Sequence, residues 1–275
     1  MEYLIHRPIK EIEVSFMLFM LLIVIIICII AFIVIKMFRQ AFEDRVLYHD
    51  MKMDNFPKSM GEIKIFFISD IHRRLIGENI ITEVKKSQVD LIIIGGDLAE
   101  KGVPLSRVRE NIQRLRTLGP TYFVWGNNDY ETDYHELDAM LLAMGVKILD
   151  NSAVSFIGEE GERLTLLGTD DLSRERDRLD LALSDAEDDG FKLLVSHDPA
   201  IIEKIEEHHH ISLVLCGHTH GGQIRIFGFG PYELGGIKTV KGLKLFVSNG
   251  YGTTALPLRL GAKAETHIVT LSATK

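Results

Sequence analysis

The 275-residue chain has only two cysteines, and their surroundings differ. Cys28 lies inside an apolar N-terminal run and Cys216 within "LVLCGH", so no disulfide is expected. Positive charge is also short, with 31 Lys and Arg against 39 Asp and Glu and a net charge of -8. A general nucleic-acid binder carries the opposite excess, so no nucleic-acid duplex is expected as a partner. Internal repeats and low-complexity segments are missing too; "EHHHIS" reads as a short polar turn. After the apolar run there is no small-residue cleavage site of the kind a signal peptide carries. What is present, 46% hydrophobic and 25% charged residues, is ample for one globular domain even with a membrane segment set aside.

Residues 14–35, "VSFMLFMLLIVIIICIIAFIVI", hold no charge. At about 1.5 Å per residue, a helix of that length crosses a hydrocarbon core of roughly 30 Å. The expectation is a single-pass transmembrane helix, with residues 36–60 as a juxtamembrane helix and linker and residues 61–275 as the folded domain. Arg7 and Lys10 precede the span, while Lys36, Arg39, Arg45 and Lys52 follow it. Lys and Arg stay on the cytoplasmic side, so the domain is expected to face the cytoplasm.

Beyond Gly61, short apolar runs alternate with segments of helical spacing. "IKIFFISD", "VDLIIIGGD", "PTYFVWGNND", "FKLLVSHD" and "ISLVLCGHTH" each read as a buried strand that ends in polar residues. "ENIITEVKKS", "SRVRENIQRLRTL", "YHELDAMLLAM" and "PAIIEKIEEH" read as helices between them, which makes an α/β fold built of βα units. Further strands are expected at "ERLTLLGT", "GGQIRIF", "LKLFVSN" and "AETHIVTLS". Ligands of open α/β sheets bind beyond the carboxyl ends of the strands. At those ends the sequence places Asp70, His72, Asp97, Asn127, Asn128, His197, His218 and His220. Each alone has a bland explanation, a helix cap or a packed histidine; arrival at five strand ends does not. Imidazole and carboxylate together suit Zn, Fe, Mn or Co better than Ca, and one carboxylate can bridge two such ions.

In order, "DIH" at 70–72, "GGD" at 95–97, "GNND" at 126–129, "SHD" at 196–198 and "GHTH" at 217–220 resemble the calcineurin-like metallophosphoesterases. The resemblance covers roughly residues 62–272. It implies a four-layer α/β/β/α sandwich and two divalent transition-metal ions. Asp70, His72, Asp97 and His220 would hold one ion; Asp97 would bridge to the second, held by Asn127, His197 and His218. A hydroxide bridging the ions would attack phosphorus, Asp129 would orient a neighbour, and Gly126, Gly217 and Gly221 would let backbone pass close to the metals. "GHTHGGQI" and "SNGYGTTALPLRLGAKAE" look most like a branch of small bacterial membrane-associated members. Substrates implied are phosphorylated small molecules or lipid-linked phosphates; resemblance to UDP-diacylglucosamine pyrophosphohydrolases makes a lipid pyrophosphate one possibility, with nucleotides or cyclic dinucleotides another. One residue departs from the pattern. Most members have "GNHD", whose His helps the leaving oxygen depart, and Asn128 stands there instead. An amide donates a hydrogen bond but no proton near neutral pH. Two readings follow: a hydrolase with a restricted choice of leaving group, or a metal-binding regulator with little turnover.

Overall fold

The structure, a computed structural model, describes residues 6–187 and 189–274, with residues 6–12 as backbone only. The N-terminal run forms α1 (His6–Ala41), a helix whose large apolar side chains are mostly exposed from Val14 to Phe38. Its segment Glu13–Ala41 is long and apolar enough to cross a membrane, with a mean hydropathy of 3.8 and no part of that window buried.

Two six-stranded sheets follow. The first contains β1 (Val46–Met53), β2 (Glu62–Ile68), β3 (Leu91–Gly95), β4 (Thr121–Val124), β5 (Lys147–Ile148) and β12 (Thr266–Ala273), in the order β1-β12-β2-β3-β4-β5. The second contains β6 (Ser152–Ile157), β7 (Arg163–Gly168), β8 (Phe191–Val195), β9 (Ile211–Cys216), β10 (Gly236–Val240) and β11 (Leu243–Val247), in the order β10-β11-β9-β8-β7-β6. β2 through β5 run parallel, as do β7, β8, β9 and β11, so their carboxyl ends gather along one rim of each sheet.

Three apolar layers hold this arrangement together. Between the sheets lie Phe67, Phe191, Leu213, Phe246 and Val269. Outside the first sheet, Ile68, Ile94 and Phe123 pack on α2 (Glu78–Ser87), α3 (Leu105–Arg116) and α4 (Tyr134–Ala143) through Ile80, Ile112 and Leu137. Outside the second, Leu194 and Val214 pack on α5 (Leu179–Ser184) and on the 3-10 turn Pro199–Lys204. The result is the α/β/β/α sandwich that the resemblance implies. A buried parallel strand is apolar on both faces, which is why β3 is a continuous hydrophobic run and β4 and β8 depart from one only at Thr121 and Lys192.

Three expectations need correction. Residues 46–53, assigned to a linker, form β1 and pair along their whole length with β12. "VLYHDMKM" buries only Met51 and Met53, so it lacks the apolar signature of a strand and is held at the sheet edge by pairing. "GGQIRIF" forms no strand; Ile224 and Ile226 make only isolated bridges. "PAIIEKIEEH" shortens to the 3-10 turns Pro199–Lys204 and Glu207–His209.

Candidate metal centre

Every expected ligand follows the end of a strand by a few residues. Asp70 and His72 follow β2, Asp97 follows β3, Asn127 follows β4, His197 follows β8, and His218 and His220 follow β9. To turn these side chains inward, the backbone enters the left-handed region at Asp70, His72, Asp97, His218 and His220, with φ between 50° and 69°. That conformation is uncommon for residues other than glycine and clusters at functional sites. Close packing enforces it. A Cβ on Gly126 would collide with the Asp97 carboxylate, and one on Gly217 would lie 2.6 Å from Asp70 Oδ2. At Gly221, expected to let backbone pass close to the metals, the atom a Cβ would meet first is Asn249 Oδ1.

The inward atoms form two overlapping groups. Ligand atoms of Asp70, His72 and His220 lie within 4.8 Å of one another, as do those of Asp70, Asp97 and His197. His72 Nε2 is 3.1 Å from His220 Nε2 and 3.7 Å from Asp97 Oδ2; His197 Nε2 is 3.2 Å from that same oxygen. Asp70 is shared by both groups, and Asp97 stands between His72 and His197. His218 lies outside both groups. Its ring packs edge-on against His197, and it lines a cavity of about 420 Å³ with Asp97, Asn127, Asn128 and His220. A larger cavity of about 690 Å³ beside Asn55, Glu206 and Lys241 opens at the amino end of β9 and holds none of these residues.

The donor set fits metal ions. His197 Nε2 and Asn127 Oδ1 are buried and have no hydrogen-bond partner in the protein. An orphaned buried polar atom costs about 1–3 kcal/mol; His197 Nε2 lies beside the Asp97 carboxylate, and Asn127 lines the cavity that Asp97 also lines. The far side of the His197 ring is held, its Nδ1 by the Gly95 carbonyl at 2.8 Å, while His72 Nδ1 lies in ion-pair range of Glu100 Oε2 at 3.1 Å without an aligned hydrogen bond. Such outer contacts orient metal-ligating histidines. The electrostatics agree. Burial disfavours a charged His197, yet Asp97 holds its pKa up to about 10. For His72, too, burial is outweighed, by Glu100, Asp97 and Asp70, and the pKa rises. His220 goes the other way, pushed well down by burial, His72 and Arg259, and presents a neutral ring. The cage draws positive charge, which divalent ions supply in place of protons.

Around the "GNND" turn, Asp129 is fully buried and accepts the backbone N–H groups of Asp97, Gly126 and Ala99, all at 2.9 Å. Asn128 lends its backbone N–H to Asp97 Oδ1 at 2.8 Å, and its side-chain oxygen accepts from Asn127 Nδ2 at 3.1 Å. The Asn127 amide is thereby turned so that its oxygen is the free atom. His135 is exposed on α4 against Tyr134 and does not line the cavity.

Sequence reasoning missed three residues here. Glu100 accepts from Arg73 Nε and lies 3.1 Å from His72 Nδ1. Arg259, fully buried, donates to the carbonyls of Asn249, Gly252 and Ala262 and abuts His220 Nδ1 at 3.0 Å. Arg174 is exposed at the edge of the site and donates to the Asn127 carbonyl at 3.1 Å. None lies at a strand end, so only "GGDLAE", three residues past Asp97, offered any signal.

Comparison with known proteins agrees. The chain is 46% identical to "Uncharacterized protein YpbG" of Bacillus subtilis (strain 168), over 88% of this chain and 93% of that one. It is 30% identical to "Transmembrane protein with metallophosphoesterase domain" of Danio rerio over 82% of this chain, and it spans 57% of that protein's length. Among solved structures, a 5'-nucleotidase precursor from Thermus thermophilus shares the fold, with a TM-score of 0.50 and 13% identity, over 76% of this chain and 55% of that one. Residues 63–222, more than half of the chain, match the model of the calcineurin-like phosphoesterases, and the chain belongs to that family.

Proposed function

We propose that this phosphoesterase is a membrane-anchored hydrolase of a phosphoester or pyrophosphate bond, working with two divalent transition-metal ions. Asp70, His72, Asp97 and His220 would hold one ion, and Asp97, Asn127, His197 and His218 the other. The observation that carries this reading is the pair of orphaned buried atoms, His197 Nε2, 3.2 Å from Asp97 Oδ2, and Asn127 Oδ1, in a residue that lines the same cavity as Asp97. Ions held there supply Lewis-acid stabilisation of phosphoryl oxygens and a water of lowered pKa. The chain's own residues do the rest. Arg174, exposed beside Asn127, offers its guanidinium to a substrate phosphate. Asn128 lines the cavity, and its side-chain amide can donate to the leaving oxygen, although it cannot protonate it. The 420 Å³ cavity takes a phosphorylated head group rather than a macromolecule.

The anchor is α1, read as a single pass with the domain on the cytoplasmic side. Its unburied apolar length and the Lys36 and Arg39 that follow the apolar run support this. The test uses the full chain in detergent, stripped by chelator and reloaded with manganese. Close to two ions per chain should return, together with hydrolysis of bis(p-nitrophenyl) phosphate. Asp97→Asn should lose metal and activity together. Absence of bound metal after reloading sinks the dinuclear reading, whereas two bound ions without hydrolysis of any ester favour the regulator.

A further inference from the structure

"GGQIRIFGFGPYEL" contributes no strand to either sheet, yet it is not loose. Ile226 and Phe229 exchange backbone hydrogen bonds at 2.9 Å, closing a hairpin around Phe227 and Gly228. Both central residues have positive φ, 52° and 86°, as a tight primed turn requires. For a bulky aromatic this backbone is costly, and at Phe227 no packing repays it, because the residue is 97% exposed and Phe229 81%. Ile226 and Leu256 are exposed beside them. Arg225 braces the hairpin from within, donating to the carbonyls of Gly221 at 3.0 Å and Gly228 at 2.6 Å.

The position of this hairpin gives the exposure a partner. At its base, Arg225 N–H donates to the Leu260 carbonyl at 2.7 Å and Leu260 N–H to the Gln223 carbonyl at 2.9 Å. The same short segment grips the end of α1: Arg259 N–H donates to the Met37 carbonyl at 3.1 Å, and Gly261 N–H to Gln40 Oε1 at 3.1 Å. Gln223 Nε2 also holds the Thr254 and Leu256 carbonyls, so Leu256 joins the hairpin in one rim. Past the tip, Pro231 and Tyr232 form a wall of the metal cavity. The apolar rim therefore lies between the end of the apolar helix and the mouth of the site.

We propose that Ile226, Phe227, Phe229 and Leu256 form a membrane-docking rim that enters the lipid interface beside α1. The metal cavity then sits at head-group depth and takes a phosphoester carried on a lipid. Exposed aromatic and aliphatic side chains together with basic residues suit that interface, and Lys36 and Arg39 flank Met37, the residue of α1 that the hairpin's base segment holds. This inference rests on the reading of α1 as a membrane anchor.

The test places tryptophan probes in the full chain, reconstituted into vesicles of phosphatidylglycerol and phosphatidylcholine brominated near the head group. Four variants are compared with wild type: Phe227→Trp and Phe229→Trp in the rim, Phe19→Trp in α1, and Ile157→Trp on the exposed edge strand β6. The inference expects blue-shifted emission and bromine quenching for the rim and α1 probes, and quenching by aqueous iodide for the Ile157 probe. If the α1 probe is quenched by bromine while both rim probes are reached by iodide like the Ile157 probe, the rim inference is overturned and the anchor stands. If the α1 probe is not quenched by bromine, the anchor fails and takes the rim with it. None of these readouts depends on hydrolysis, so they are independent of whether the proposed activity is found.

Discussion

Removing the Asp129 carboxylate should loosen the whole "GNND" turn, and the size of the effect follows from its three hydrogen bonds. In Asp129→Ala the N–H groups of Asp97, Ala99 and Gly126 lose their acceptor inside a fully buried site. At about 1–3 kcal/mol for each orphaned donor the ceiling is about 9 kcal/mol, and water entering the vacated space brings the loss toward about 4. In a domain of this size about 1 kcal/mol moves Tm by about 2–4 °C, so the variant should melt about 8–16 °C lower. Asp129→Asn keeps one accepting oxygen and should fall between. The assay has a built-in reporter, because the single tryptophan, Trp125, is buried one residue before Gly126. Its fluorescence during thermal unfolding of the full chain in detergent reads this turn directly. Metal content should fall as well, since Asp129 fixes the backbone of the carboxylate that stands between His72 and His197. An alanine variant that melts within about 2 °C of wild type and binds metal equally well would refute the reasoning.

Three further outcomes are expected. Glu100→Gln should weaken metal binding about 10- to 100-fold, measured by competition with a chromophoric chelator, because His72 loses the carboxylate that orients its ring. Wild type should cleave aryl esters and pyrophosphates far better than alkyl phosphates, and Asn128→His should raise the alkyl rate selectively, by about 10²-fold or more, the usual worth of a general acid; equal rates on both ester types in both proteins would place a proton donor elsewhere. Protease added outside intact cells should leave the domain uncut, and digestion while a cytoplasmic control survives would reverse the orientation.

Much of the site could be read from sequence because the ligands obey strand-end logic. A buried parallel strand advertises itself as an apolar run, and the first polar residues after it must lie at the sheet's carboxyl rim. The places of Asp70, Asp97, Asn127, His197 and His218 just past strand ends follow from that logic, although His218 stays outside both ligand groups. The same logic fails where burial is partial. β1 and β10 bury few residues and are held by their neighbours β12 and β11, so neither carries a readable period. It fails as well for residues whose role is set by distant chain. Glu100 looks like any acidic loop residue until the fold brings His72 against it, and Arg259 looks like a surface arginine in "LPLRLG" until three carbonyls and His220 close around it.

Those long-range contacts also explain why α1 and the site belong to one structure rather than to a helix on a tether. Arg74, two residues past His72, is buried with its guanidinium among the carbonyls of Ala41, Phe42 and Glu43, where α1 ends with unpaired acceptors. It also donates to Asp44 Oδ1 at 2.9 Å and to the Tyr251 carbonyl at 2.7 Å, while lying over the Tyr251 ring at 3.6 Å. Gly250, next to Tyr251, presses on Asp70 so closely that a Cβ there would come within 2.7 Å of the Asp70 Cβ. One arginine thus links the end of the apolar helix to two candidate ligands, Asp70 and His72, through contacts only one or two residues long. Arg259 repeats the link from the other side, joining Met37 to His220. A flexible tether would need none of these bonds. Their presence means that the direction in which α1 leaves the domain is set by the same packing that positions the ligands, so the cavity's orientation relative to the helix is fixed by the fold.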